Sequence, residues 1–354
     1  MTMADNTIPR LFGLRSSNRD FSDPKTWGKN QFNSSFPASL CCYLYSQNHN
    51  ANYLVIQDSQ LKHEEISIAE LFRIHPLDHE IYFAFESTYT PFQQFIVGSL
   101  PRTDLVIQKK SNGKCLIALE IKLTALPDHT TCHLQESEYG SEIVIRPDTI
   151  VYLACSIAKA LGSRLNSIFP DELAISDWSD PHQVLQEIYA IKKNIQLILH
   201  ALHDCQSPFL LQPIWKTMGK SPVLSENCLD VFVWSDASFT YFINEIANQD
   251  FSNATRITRQ TRTLIWLFKM LLEIKKQGRF NPTKIINDLS YNTKNDKAFS
   301  ASGSITNKFM ACQRQKKPII KKTEIKNIIL GGGQNLLSPE RRFDAIIVNS
   351  PELF

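Results

Sequence analysis

Apolar and polar positions divide the chain into alternating strand-like and helix-like stretches. Leu105 to Gln108 and Cys115 to Leu123 read as strands, and Ser111-Asn112-Gly113 between them is a turn signal. Ile143 to Ile145 reads as a short strand, Val231 to Trp234 as a core strand and Phe343 to Val348 as a terminal one. Helical spacing is clearest at Thr149 to Leu161. There Ile150, Leu153, Ala154, Ile157, Ala158 and Leu161 share one side, and Gly162 follows as a stop. Asp180 to His203, Phe239 to Ala247 and Thr258 to Lys276 repeat the pattern; Gly278 ends the last and Pro282 opens a new unit. The spacing of Ile66, Ile68, Leu71 and Phe72 predicts a helix over Glu64 to Ile74. His79 to Phe95 is aromatic-rich and fits helix or strand, and residues 39–57 give mixed signals. The first forty residues, rich in Asn, Ser, Phe and Pro, read as an ordered arm with little regular structure. This mixed order predicts an α/β fold, with a central mixed sheet flanked by helices.

Charge changes the picture. Met1 to Thr255 carries 19 basic and 28 acidic residues, whereas Arg256 to Arg342 carries 19 basic and 5 acidic. A strongly basic third is what a polyanion-binding surface requires, although a solvated, lysine-rich face has the same composition. No apolar run reaches the ~18 residues of a membrane helix, and Met1 to Arg15 holds no stretch of signal-peptide length, so a cytoplasmic location is expected. Eight cysteines, none in a CxxC pair, fit buried free thiols in a reducing compartment.

The chemistry concentrates on one hairpin. Leu100-Pro101-Arg102-Thr103-Asp104 is followed by Leu119-Glu120-Ile121-Lys122. Glu120 and Lys122 are two apart on a strand and leave the same face. Two charges on an apolar strand are costly to bury without a counter-ion or water. The loop decides whether Asp104 joins them. A two-residue Asn112-Gly113 turn would set Asp104 opposite Ile121. A three-residue loop, Ser111-Asn112-Gly113, pairs Lys110 with Lys114 and sets Asp104 opposite Glu120. The three-residue loop with a left-handed Gly113, or an equivalent bulge, is the expected arrangement. Opposed carboxylates with Cβ atoms ~5 Å apart repel unless a cation lies between them. Asp104 and Glu120, with the Ile121 carbonyl, would therefore ligate a hard divalent ion such as Mg2+, and Lys122 would orient a water or stabilise charge at a phosphate. An exposed hairpin with a Glu120–Lys122 surface ion pair is the competing reading. Glu86, within Phe83-Ala84-Phe85-Glu86-Ser87, could complete the metal shell or face solvent at an edge.

Other patterns lead nowhere. His129, Cys132 and His133 lack a fourth zinc ligand at useful spacing, and Pro76 breaks the helix that a His75–His79 pair would need. Asp148 is better explained as a charge or cap at a helix start, and Arg146 fits a phosphate contact or an ion pair equally. His200 and His203 fit a helix C-terminus. Gly331-Gly332-Gly333 lacks the Lys-Ser/Thr of a phosphate loop, and no GxSxG occurs.

With these residues in view, the chain resembles type II restriction endonucleases of the HindVP-like family, within the PD-(D/E)XK nuclease superfamily. The likeness is carried by Trp27-Gly28-Lys29-Asn30-Gln31-Phe32-Asn33-Ser34-Ser35-Phe36-Pro37, Arg102-Thr103-Asp104 and Glu120-Ile121-Lys122-Leu123-Thr124-Ala125-Leu126-Pro127-Asp128. Arg146-Pro147-Asp148-Thr149-Ile150-Val151 and Gly331-Gly332-Gly333-Gln334-Asn335 add to it. One departure is Arg102, where the superfamily name expects a proline directly before the acid. The resemblance implies a PD-(D/E)XK core, cleavage of double-stranded DNA at GRCGYC, a homodimer matching a palindromic site, and a cognate DNA methyltransferase as partner. Residues 1–255 would form the arm and nuclease core, with the catalytic hairpin at 100–124. Residues 256–354 would form a basic, mostly helical DNA-recognition region packed on it. Expected DNA contacts are Arg256, Arg259, Arg262, Asn292, Lys294, Lys297, Asn307, Lys308, Lys316 and Lys317. A repair or recombination nuclease of the same superfamily, and a DNA-binding protein without catalysis, are the rival readings.

Overall fold

The computed structural model describes residues 48, 50–57, 60–67, 69–70, 80–121, 143–145, 147–169, 173–202, 209–212, 214–217, 224–230, 234–235, 240, 256–257, 259–291, 299–301 and 319–324. The strand expected at Phe343 to Val348, the Gly331-Gly332-Gly333 stretch and most of the helix expected at Phe239 to Ala247 lie outside them.

The first two strands, β1 (Asn50–Gln57) and β2 (Gln60–Ser67), form an antiparallel ribbon. The helix expected from Glu64 is therefore corrected: Glu64 and Glu65 pair with Tyr53 and Asn52 as strand. Ser67 supplies the reason. Its hydroxyl accepts from the Glu70 N–H at 3.2 Å while the Glu70 carboxylate accepts from the Ser67 N–H at 3.2 Å, a reciprocal cap that starts a helix after Ser67 rather than before it. The hydroxyl also donates to that carboxylate and holds it below the usual range.

A central sheet follows from β3 (Ile81–Ser87), β4 (Thr103–Lys109) and β5 (Cys115–Ile121), which pair antiparallel in succession. The ambiguous aromatic stretch thus resolves into β3 and a 3-10 turn at Thr90–Phe95. After β6 (Ile143–Ile145) come α1 (Pro147–Leu161), α2 (Arg164–Ile168), α3 (Pro181–Gln186) and α4 (Ile188–Ala201). The stretch expected as one helix from Asp180 divides at Glu187, whose φ of −96° and ψ of 4° leave the helical range. The chain returns as β7 (Phe209–Gln212), which pairs parallel to β5, so the helices form its crossover. Next come β8 (Ile214–Thr217), β9 (Leu224–Asp230) and β10 (Trp234–Ser235); β10 closes the sheet in the order β10-β7-β5-β4-β3. The sheet is mixed, as expected.

The basic third contributes α5 (Arg259–Gln277), α6 (Pro282–Asp288), β11 (Phe299–Ala301) and β12 (Ile319–Ile320). Pro282 occupies the first helical turn and Asn281 caps it by accepting from the Lys284 N–H at 3.0 Å. β11 pairs with β6, and β12 with β9.

Both faces of the β3–β4–β5 region are covered. Ala84, Val106 and Ala118 align across the three strands and join the buried cluster that includes α1, α4 and α5. Their small size lets helices pack close to the sheet. On the opposite face Leu105, Ile107, Ile117 and Leu119 are buried. Along α5, Leu264, Ile265, Leu267, Phe268 and Leu271 are all buried. Cys115 and Cys155 are buried free thiols, and burial pushes the Cys155 thiol up. Among the described residues no helix is long and apolar enough to cross a membrane.

Candidate active site

The position of Asp104 depends on how β4 turns into β5. The turn differs from the three-residue loop expected from sequence. Lys109, not Lys110, pairs with Lys114: its N–H donates to the Lys114 carbonyl at 3.0 Å. The Gly113 N–H donates back to the Lys109 carbonyl at 2.9 Å, and Gly113 takes φ +68°, where a Cβ would be strained. The Asn112 side chain accepts from the Lys114 N–H at 2.9 Å and fixes the loop from within. The loop thus spans residues 110–113. Left uncorrected, it would set position 104 opposite Leu119.

A bulge corrects it. Gln108 partners Cys115, whereas Ile107 partners Ile117, so Leu116 is the extra residue. Beyond the bulge the register runs Ile107↔Ile117, Val106↔Ala118, Leu105↔Leu119. The next step brings position 104 level with position 120, both within their strands. Cross-strand bonding continues to that level, because the Thr103 hydroxyl donates to the Leu119 carbonyl at 2.9 Å in a buried setting.

Position 86 comes level too. Phe85 partners Leu105 and Ser87 partners Thr103, which brackets position 86 opposite position 104. Glu86, Asp104 and Glu120 therefore stand in one row across three neighbouring strands, followed by Leu211 of β7, the Cα partner of Glu120. Strand alternation assigns the row's positions to the same face as Ala84, Val106 and Ala118, two residues away on each strand. Ile121 ends β5 opposite Gln212. Lys122 lies outside the described residues.

Helix α1 lies over this end of the sheet. The Tyr152 hydroxyl accepts from the Tyr89 N–H at 3.0 Å and donates to the Pro101 carbonyl at 2.8 Å. One fully buried phenol thus ties the chain two residues after β3 to the chain two residues before β4. Phe92 packs against both rings, at 4.8 Å from Tyr89 and 5.7 Å from Tyr152. Tyr152 lies off the apolar side that the helical spacing marks, so its role in fixing Pro101 was not readable from the sequence. Asp148, expected just before this helix, stands in its first turn.

The expected DNA contacts divide. Arg256 is exposed and Arg259 begins α5. Arg262 is a correction: it is buried at 2% exposure, its guanidinium 4.6 Å from the Trp266 ring and 3.4 Å from the Ser290 carbonyl. A guanidinium enclosed in this way is not presented to a surface phosphate. The three-residue spacing of Arg256, Arg259 and Arg262 concealed this, because a helix turns ~100° per residue and three steps already rotate ~60° off the starting face. Asn292, Lys294, Lys297, Asn307, Lys308, Lys316 and Lys317 lie outside the described residues.

By its sequence the chain falls in a class of known proteins, the restriction endonucleases. The chain belongs to the HindVP restriction endonuclease family, whose model matches residues 27–354. It is 53% identical to the probable type II restriction enzyme HindVP of Haemophilus influenzae, over 99% of this chain and 96% of that one. It is 42% identical to the type II restriction enzyme HgiDI of Herpetosiphon aurantiacus, over 98% and 97%. No solved structure matches.

Proposed function

We propose that this protein is a type II site-specific endonuclease of PD-(D/E)XK architecture, hydrolysing phosphodiester bonds in duplex DNA at the row of Asp104 and Glu120 with Lys122 beside it. The observation that carries the reading is the bulge at Leu116, which offsets the loop by one residue and so brings the two acids level. A sheet has no structural need of acids at level positions on neighbouring strands; a cation gives them one.

The donor set fits magnesium. Two or three carboxylates and the Ile121 carbonyl offer only oxygen, which suits a hard ion that keeps part of its water. When bound, the ion would neutralise charge at the phosphate and make coordinated water more acidic. The chain's own part is positional. Asp104 and Glu120 hold the charge that selects a cation, and Lys122 orients the attacking water or stabilises the phosphate, leaving a 5′-phosphate and a 3′-hydroxyl. The exposed cations of the basic third hold the duplex by its phosphates. By the same reading the protein works as a homodimer on a palindromic site, GRCGYC, in the cytoplasm beside a cognate methyltransferase. Residues 1–255 carry the chemistry and 256–354 the recognition.

Incubation with plasmid DNA and magnesium, followed by sequencing of the product ends, tests this. Discrete fragments with one common end sequence are expected. Random degradation would leave a nuclease of another kind, and intact DNA would leave a binding protein.

Glu86 joins the row as a third acid in this proposal. Glu86→Gln is expected to raise the magnesium needed for half-maximal cutting by about 10- to 100-fold, the usual cost of losing a group that supports a metal site. Added magnesium should restore the rate. A variant with the wild-type magnesium dependence would assign Glu86 to solvent.

A further inference from the structure

The chain leaves α6 and enters the basic segment from residue 292 through Leu289, Ser290 and Tyr291, and each of these three residues is held by a side chain or backbone from elsewhere. The Trp266 indole N–H donates to the Leu289 carbonyl at 3.0 Å. The Arg262 guanidinium donates to the Ser290 carbonyl at 3.4 Å. The Tyr291 hydroxyl donates to the Trp178 carbonyl at 2.8 Å, across a sequence separation of 113 residues. Trp266 and Arg262 are buried in α5 and stack on each other, and Trp178 lies in the loop before α3.

Tyr291 adopts φ 50°, in the left-handed region that a side chain with a Cβ rarely enters. Such a conformation persists only where its surroundings over-determine it, and it clusters where a protein needs one geometry rather than an ensemble. Burial, with Asp177 nearby, pushes the Tyr291 hydroxyl up, so it remains a donor throughout the neutral range. A helix end that only had to stop would use a glycine, as α1 does at Gly162 with φ +53°.

We propose that Leu289–Tyr291 is a fixed root for the DNA-recognition segment, with Trp266 and Tyr291 as positioning residues for site discrimination. This rests on the reading above that residues beyond 291 contact DNA. Base-edge recognition depends on hydrogen bonds whose geometry fails within fractions of an ångström. A swivel at the root would be amplified along the segment. Chemistry at the acid row, on the central sheet and another part of the chain, would be unaffected. Trp266 and Tyr291 would thus govern which duplex is held, and not how fast a held duplex is cut.

Tyr291→Phe and Trp266→Phe test this, since each keeps a ring and removes one bond to the root. Kinetics are measured on a duplex bearing the site found from wild-type product ends, and on the same duplex with one base pair changed. Both variants are expected to raise KM for the cognate duplex about tenfold and lower discrimination about tenfold, with kcat within about twofold of wild type. Leu161→Ala, which empties core space at the far end of α1, serves as the stability control and should keep wild-type discrimination. Wild-type KM and discrimination in both phenylalanine variants would overturn the inference, whatever their melting temperatures; so would equal loss in Leu161→Ala. Absence of discrete fragments from the wild type would instead overturn the endonuclease reading on which the inference stands.

Discussion

Alanine at position 104, 120 or 122 is expected to lower plasmid cleavage by on the order of 10³-fold or more, while DNA binding survives with calcium in place of magnesium. The size of the effect follows from the register. In the proposed site the two acids at level positions on neighbouring strands act as a unit: with one gone, the remaining donors hold too little negative charge for a divalent ion. The losses should therefore fail to add. The Asp104→Ala, Glu120→Ala double variant should be scarcely worse than either single one. Lys122→Ala should differ in kind. It leaves both acids, so the magnesium requirement should stay near wild type while the rate at saturation falls. Gel-shift titration in calcium separates binding from chemistry, and nicking of supercoiled plasmid gives the rate. Wild-type cutting by any one of the three variants would remove that residue from the site.

Sequence reasoning reached this row with two ways of spending the odd residue left open, a three-residue loop or an equivalent bulge, and the structure takes the bulge. Alternation and a turn signal located both strands, and the requirement that Asp104 face Glu120 demanded an odd number of residues in the connection. Either a three-residue loop or a four-residue loop with one bulged residue meets that demand. The chain uses the second, with Gly113 closing the loop and Leu116 as the extra residue. Residue count fixes which side chains share a face; it does not say where the odd residue is spent. Long-range contacts were less legible for a related reason. Arg262 looks like its neighbours Arg256 and Arg259 in composition, and only the packing of α5 on the α6 exit turns it inward. The strand at Glu64–Ser67 was hidden by a helix signal that belongs to the residues after it, since β2 is held by its partner β1 and not by its own apolar spacing.

Tyr152→Phe is the second change expected to have a large effect, and it separates holding the site from performing its chemistry. The phenol hydroxyl is one atom serving two bonds, from the Tyr89 N–H and to the Pro101 carbonyl, in a side chain only 1% exposed. Losing both bonds in a buried setting is expected to cost about 2–4 kcal/mol of unfolding free energy, read from urea titration. Leu161→Ala, at the other end of the same helix, should cost a similar amount by opening core space, about 2–5 kcal/mol. The two should part company in single-turnover cleavage. Pro101 lies three residues before Asp104 on a continuous chain, and β4 begins between them. Freeing Pro101 lets the first residues of β4 shift relative to β5, and a displacement of about 1 Å at a reacting group can cost about 100-fold. Tyr152→Phe is therefore expected to slow cutting per folded molecule by about ten- to a hundredfold, and Leu161→Ala to leave it near wild type. Equal stability loss with equal, undiminished cutting in both variants would mean that Tyr152 holds the fold and nothing more. The aligned acids would then owe their position to the bulge alone.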